Sequence, residues 1–227
     1  VLKLILIIKE LLLSSKTLKI NSIFVGMEPT LEKILDKSDI HPLRAKAVYI
    51  FGSRVYGTDN WESDWDIKLI ANGTVSNLEI RRGVYNIHII TPTDFQNLLY
   101  DHQPGALECY FSPDFAKIYE NHKWEFELNP KALRHHYSRA SSSSWVKAKR
   151  KLEYDEYYSA IKSLFHSMRI PLFGIQIAKY GEIKDFSCAN HIWDEISSKN
   201  WNWIEIVERF MPLRDEILVE LRKATII

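Results

Sequence analysis

The sequence predicts an α+β fold: a mixed sheet flanked by helices, followed by a helical bundle. Three observations predict it. Strand-like apolar runs recur between residues 46 and 90. A Gly52-Ser53 turn cuts the first run short and is followed by the aspartate pair Asp64 and Asp66. After Pro130 the β signal gives way to helical periodicity.

Each element has its own local reason. Residues 27–40 read as a helix with Pro29 in its first turn, broken by His41-Pro42. Residues 46–51 read as a strand, with a short helix or turn after Ser53 and a loop over residues 60–63. Residues 64–71 form the aspartate-bearing strand, and residues 78–90 a hairpin about Arg82-Gly83. Thr91 caps a helix running to about residue 101, which Gln103-Pro104-Gly105 breaks. Regular structure resumes over residues 106–111, and residues 113–130 read as irregular and aromatic. Beyond that, residues 131–158 form one helix or two, with the serines at 141–144 as a hinge or cap cluster. A helix over 157–170 is stopped by Pro171, residues 192–210 and 212–223 form two more, and Gly181 lies in a turn.

The turn and the aspartates carry chemistry. Gly52 lets backbone approach a phosphate closely and reach angles closed to other residues. Ser53 adds a hydroxyl donor, and neighbouring N–H groups can form an anion-binding concavity, aided by any helix that starts there. Asp64 and Asp66 are two apart, so on a strand both carboxylates share one face while Trp65 and Ile67 turn to the other. Mg²⁺ is held by one or two carboxylates together with substrate phosphates and water. A Gly-Ser turn or an acidic pair alone is an ordinary surface feature; their combination at this spacing is the signal.

Phe51-Gly52-Ser53 followed by Asp64-Trp65-Asp66, within the fuller string Phe51-Gly52-Ser53-Arg54-Val55-Tyr56-Gly57-Thr58, resembles the nucleotidyltransferase superfamily with the DNA polymerase β-like fold, in its small single-active-site branch. The resemblance covers roughly residues 45–95. It implies a polymerase β-like domain over residues 27–130 and a helical domain over 131–227. It also implies transfer of a nucleoside monophosphate from an NTP, ATP first, to an acceptor hydroxyl with release of pyrophosphate. Asp64 and Asp66 would be the catalytic residues and hold two Mg²⁺ ions, with Mn²⁺ as a substitute. Gly52, Ser53 and Arg54 would bind the nucleotide. The family's third carboxylate falls on Asn86, whose carbonyl offers only a weak ligand and no charge. His88 shares its strand face, and Glu79 and Glu108 are the acids that could complete the set.

The helical half supplies cations. Residues 131–151 contain Lys131, Arg134, Arg139, Lys147, Lys149, Arg150 and Lys151 with no acid, a stripe compatible with phosphate or with plain solvation. Lys162, His166 and Arg169 share one face of the next helix at i, i+4, i+7. Family members use this domain as the far wall of the nucleotide site, which implies triphosphate contacts from Lys147, Lys151, Lys162, His166 and Arg169. The bland alternative is salt bridging to Glu153, Asp155 or Glu156.

Whole-chain numbers set mild limits. The chain has 227 residues, with 30 Lys and Arg against 29 Asp and Glu, so net charge selects no partner. Its two cysteines, Cys109 and Cys188, lack metal spacing and suit free thiols in the cytoplasm. Residues 1–26 read as an optional extension before Met27, or as an amphipathic helix packed on the domain or a partner. Their apolar start is too short and too charged to span a bilayer, so no membrane partner is expected. The acceptor stays open among a small hydroxylated molecule, a protein side chain and an RNA 3′ end. Other readings are a catalytically silent nucleotide- or RNA-binding protein and an antitoxin-like partner, each keeping the same fold.

Overall fold

Five strands, β1 (Ala45–Phe51), β2 (Trp65–Ala71), β3 (Leu78–Arg82), β4 (Tyr85–Ile90) and β5 (Lys117–Glu120), pair in the order β3-β4-β2-β1-β5. The computed structural model describes residues 28–74 and 76–226, so the expected extension over residues 1–26 lies outside the described residues. Only β2 and β4 run parallel; the other neighbours are antiparallel. The sheet follows from period-two patterning. In β2, Ile67 and Leu69 are fully buried while Asp66 and Lys68 turn to the opposite, partly open face.

Helix α1 (Leu31–Ser38) is shorter than the expected 27–40 and leaves Pro29 ahead of its first turn, because the Thr30 side chain caps it by accepting from Lys33 N at 3.3 Å. The single turn α2 (Ser53–Tyr56) follows β1. Helix α3 (Pro92–Tyr100) has the expected Thr91 cap. Gln103-Pro104-Gly105 does not merely separate two segments. Pro104 is the first residue of α4 (Pro104–Tyr110), where its missing N–H costs nothing. The stretch expected to be irregular before Pro130 contains β5, held to β1 by register and by a Tyr49 hydroxyl that donates to Glu120 at 2.7 Å.

The helical half consists of α5 (Pro130–Glu153), α6 (Tyr157–Tyr180), α7 (Asn190–Ser197) and α8 (Trp203–Ala224). Three expectations are corrected. The serine cluster lies inside α5, and Ser141 is fully buried with its hydroxyl donating to the Ser167 carbonyl, so small side chains let α5 and α6 approach. Pro171 does not stop α6, and Pro212 does not divide α8. Burial of Phe173 and Ile177 beyond Pro171 outweighs the backbone hydrogen bond that proline removes. The true break is at residues 198–202, where Asn202 and Glu205 form a capping box that opens α8.

Secondary structure changes at Pro130, but packing crosses that point. The core that covers the sheet also contains Leu133, Tyr137, Phe173, Ile177 and Leu221 from the helical half. A second apolar cluster, with Leu164, Phe165, Met168, Ile192 and Phe210, lies within the helices. Among the described residues no helix is long and apolar enough to cross a membrane.

The shared seam makes one prediction. A Cβ on Gly174 would lie 2.8 Å from Tyr137 Cδ1 and 3.0 Å from Leu221 Cδ1, and both side chains are fully buried. Gly174→Ala gains about 1 kcal/mol of helix propensity but overpacks a filled seam at a cost of about 1–3 kcal/mol. The expected outcome is net destabilisation in urea unfolding; a stabilised variant would show that the seam is loosely packed.

Candidate active-site cleft

The site begins with one close approach. The antiparallel register of β1 and β2 sets Phe51 opposite Asp66. The next residue, Gly52, has φ 84° and ψ −159°, and a Cβ there would overlap Asp66 Oδ2. Glycine is therefore required twice, by its backbone angles and by the carboxylate packed against it. The chain then turns through α2 and closes on Gly57 in the left-handed region. Ser53 and Arg54 open that turn, where N–H groups have no intrahelical acceptor. The Ser53 hydroxyl likewise has no partner among the described residues.

The parallel register of β2 and β4 sets Asn86 beside Asp66 and His88 beside Lys68. Asn86 Nδ2 donates to Asp66 Oδ1 at 3.0 Å and lies 3.2 Å from His88 Nε2. Asn86 Oδ1 is buried without a hydrogen-bond partner among the described residues. Burial raises the Asp66 pKa; the Asn86 hydrogen bond, His88 and Lys162 oppose that rise, and Asp64 adds to it. His88 is shifted down, by burial first and then by Lys68. Asp64 is exposed, one residue ahead of β2. Glu79 sits on edge strand β3 opposite His88 and pairs with Arg81 at 3.3 Å.

Arg54 is turned away from this cleft. Its guanidinium lies 4.1 Å from the Trp65 ring centroid on the other sheet face and pairs with Asp59 at 3.2 Å. It also donates to the carbonyls of Ser63 and Asp64. These contacts tie Arg54 to the loop that leads into Asp64.

Helices α6 and α7 form the opposite wall of a cavity of about 320 Å³, lined on the sheet side by Gly52, Ser53, Tyr56 and Asp66 and across from them by Lys162, His166, Arg169 and Trp193. Lys162 is half-buried and close enough to Asp66 to favour its charge. Arg169 is 3% exposed, and Nη1 makes an ion pair with Glu108 Oε1 at 3.2 Å, though without hydrogen-bond geometry. The Arg169 guanidinium also lies 3.7 Å from the Tyr56 ring centroid, and the Tyr56 hydroxyl donates to Glu108 Oε2. Arg169 Nε donates to His166 Nδ1 at 3.3 Å, which places the His166 proton on Nε2. Burial, then Arg169, Lys162, Lys151 and Lys147, push His166 well below its ordinary pKa, so it is neutral at pH 7. Lys147 is exposed, and Lys151 points its amine toward the Ser159 carbonyl at 3.4 Å; both stand near His166 rather than lining the cavity.

Among the described residues no group of three His, Cys, Asp or Glu side chains forms a metal cage. The donor set still fits Mg²⁺ that arrives with a nucleotide, because that ion needs only one or two carboxylates beside phosphate and water. Asp64 and Asp66 supply the carboxylates, and the unpartnered Asn86 Oδ1 beside them is a neutral oxygen of the right hardness. Tyr56 and Trp193 were not singled out from sequence. Tyr56 lay inside the recognised string, and only the fold brings Trp193 to it.

Solved structures that resemble this chain include the following two. One is a spectinomycin adenyltransferase from Enterococcus faecialis, determined with ATP and spectinomycin. It aligns over 86% of this chain and 100% of its own at 14% identity and a TM-score of 0.44. The other is a nucleotidyltransferase-like protein from Exiguobacterium sibiricum, aligned over 88% of this chain and 74% of its own at 12% identity and a TM-score of 0.32. No protein-family model and no curated protein matches the sequence. What the cleft can do therefore follows from its own residues.

Two stability predictions follow. Glu108→Gln leaves Arg169 buried without its counter-charge and is expected to cost about 3–5 kcal/mol in denaturant unfolding. Pairing Glu108→Leu with Arg169→Met should recover much of that loss, and a mild single-variant effect would mean the pair is not fully desolvated. Asp66 has the opposite sign. Its folded pKa is raised above the unfolded value, so its ionised form opposes folding at neutral pH, and the penalty fades as pH falls through the folded pKa. In the presence of a chelator, Asp66→Asn should raise Tm at pH 7, and the gain should shrink toward acid pH.

Proposed function

We propose that this chain is a metal-dependent nucleotidyltransferase that moves a nucleoside monophosphate from an NTP, ATP first, to an acceptor hydroxyl and releases pyrophosphate. The observation that carries this reading is the packing of Gly52 on Asp66, which makes the backbone turn and the carboxylate one continuous surface facing Lys162.

The residues divide the work. The Ser53 hydroxyl and the free N–H groups of the turn bind triphosphate oxygens, and Lys162 neutralises charge from the other wall. Asp64 and Asp66 hold Mg²⁺, with Asn86 Oδ1 as a weaker neutral ligand. When bound, the metal supplies Lewis-acid stabilisation of charge on phosphate oxygens. The acceptor oxygen bonds to the α-phosphorus and gives up its hydroxyl proton to solvent water as the bond to the α–β bridging oxygen breaks, and the electron pair leaves on pyrophosphate. Most of the acceleration comes from positioning and electrostatics. Arg169 acts indirectly, by fixing the wall that carries Lys162 and His166. A small hydroxylated acceptor or a protein side chain is favoured over an RNA 3′ end, because the sequence carries no recognisable RNA-binding module. Two free thiols, Cys109 and Cys188, agree with the cytoplasmic setting expected from sequence.

Asn86 favours a second reading, a silent nucleotide binder, because it brings neither charge nor a base to β4. One experiment separates the two. The protein is incubated with each labelled NTP and Mg²⁺, and pyrophosphate release and protein labelling are followed. Release that disappears in Asp64→Asn and Asp66→Asn while both variants stay folded supports the transferase. Nucleotide binding without turnover under any acceptor supports the silent binder, and near-wild-type turnover in either variant excludes these aspartates as metal ligands. Lys162→Ala should weaken ATP binding by about 1–3 kcal/mol and AMP binding less, because the β- and γ-phosphates carry most of the charge.

A further inference from the structure

We infer that Trp193 is the platform on which the nucleotide's base stacks. The inference rests on the nucleotide-binding reading of the same cleft. Five aromatic rings line the cavity: Phe51, Tyr56, Phe165, Trp193 and the imidazole of His166, which is tied to Arg169 Nε and packed edge-on against Tyr56. Tyr56 and Phe165 are 4% and 2% exposed, so neither offers a face. Phe51 is half-buried but occupied, with Lys68 Nζ 5.1 Å from its ring centroid and His88 edge-on at 5.4 Å. Trp193 is half-buried, packs against Phe165 at 5.3 Å and 62°, and its Nε1–H meets no acceptor among the described residues.

Its position is fixed relative to the phosphate-binding turn. Asn190, one turn earlier on the same face of α7, donates from Nδ2 to the Tyr56 carbonyl at 3.0 Å. That contact is tight, because a Cβ on Gly57 would lie 3.3 Å from the same Nδ2. The start of α7 is thus locked to the end of the turn that begins at Ser53. A molecule held at Ser53 by its phosphates meets the indole with its nucleoside end. The walls at Asp66, Lys162, Glu108 and Arg169 are charged and suit phosphate or a polar acceptor, while the apolar stretch at Pro104, Gly105 and Ile170 offers no ring for a base to stack on. Phe165 behind the indole keeps it from collapsing into the helical core.

Stacking on a single ring tolerates any base, because every base has a π-face. The test compares wild type, Trp193→Leu and Trp193→Phe by calorimetry with ATP and with inorganic tripolyphosphate, each with Mg²⁺. Leucine keeps apolar packing without a π-face. The expected result is ATP affinity down about tenfold or more in Trp193→Leu, tripolyphosphate affinity unchanged, and ATP affinity largely retained in Trp193→Phe. Equal losses for both ligands, or no loss of ATP in Trp193→Leu, would show that the indole only fills the core and overturn the inference while leaving nucleotide binding intact. Wild type that binds neither ligand would overturn the nucleotide reading and the inference together.

Discussion

The buried contact among Glu108, Arg169 and Tyr56 joins three parts of the chain that are far apart in sequence. Glu108 comes from α4 beneath the sheet, Tyr56 from the turn after β1, and Arg169 from the middle of α6. A guanidinium this deeply buried is tolerable only beside a carboxylate, and it gains further from the face of an aromatic ring. Meeting that demand fixes the distance between the sheet and the helical wall. The cleft is the space left beside the contact: Asp66 and Ser53 lie on one side, Lys162 and His166 on the other. The ion pair contributes little net stability against an apolar substitute, but it holds these elements to one arrangement.

Within that frame, geometry at Gly52 decides what the cleft can bind. A glycine at φ 84° lets the backbone lie against the Asp66 carboxylate with no side chain between them. Anion-binding N–H groups and a cation-binding carboxylate rarely sit this close without attracting different partners. A nucleotide with its metal satisfies both at once, since its phosphates meet the turn and its cation meets the acid. Arg54, held by Trp65 and Asp59 behind the sheet, stiffens the intervening loop so that Asp64 arrives at the same edge.

Local chemistry made the sheet half readable from sequence. Asp66 and Asn86 lie on paired strands, and strand register translates directly into neighbouring side chains on one face. The helical half was less readable because its outcomes depend on packing. Pro171 and Pro212 carry a strong local stop signal, yet burial of Phe173, Ile177 and Phe210 overrides it. The serines at 141–144 look like a hinge until Ser141 is seen filling a tight crossing with α6. Helical spacing put Lys162, His166 and Arg169 on one face, but nothing in that spacing could reveal that Glu108 waits opposite Arg169. Arg54 misled for the same reason: its string placed it beside the turn, and only the fold turned it to the far side of the sheet.

The cleft's charge arrangement gives the last step. Lys162 and the more distant Lys147 and Lys151 surround a histidine kept neutral by burial and by those same cations. Opposite them, Asp66 bears a raised pKa because burial disfavours its charge more than Asn86, His88 and Lys162 favour it. The cleft therefore sets Lys162 on one wall against a desolvated carboxylate on the other. On the proposed function, a polyanion accompanied by a divalent cation would meet both. This matches what a site working through preorganised electrostatics requires. It also explains why a neutral Asn86 can be accommodated next to Asp66. A third carboxylate there would add to the burial penalty that Asp66 already bears, whereas the amide lowers it with a hydrogen bond.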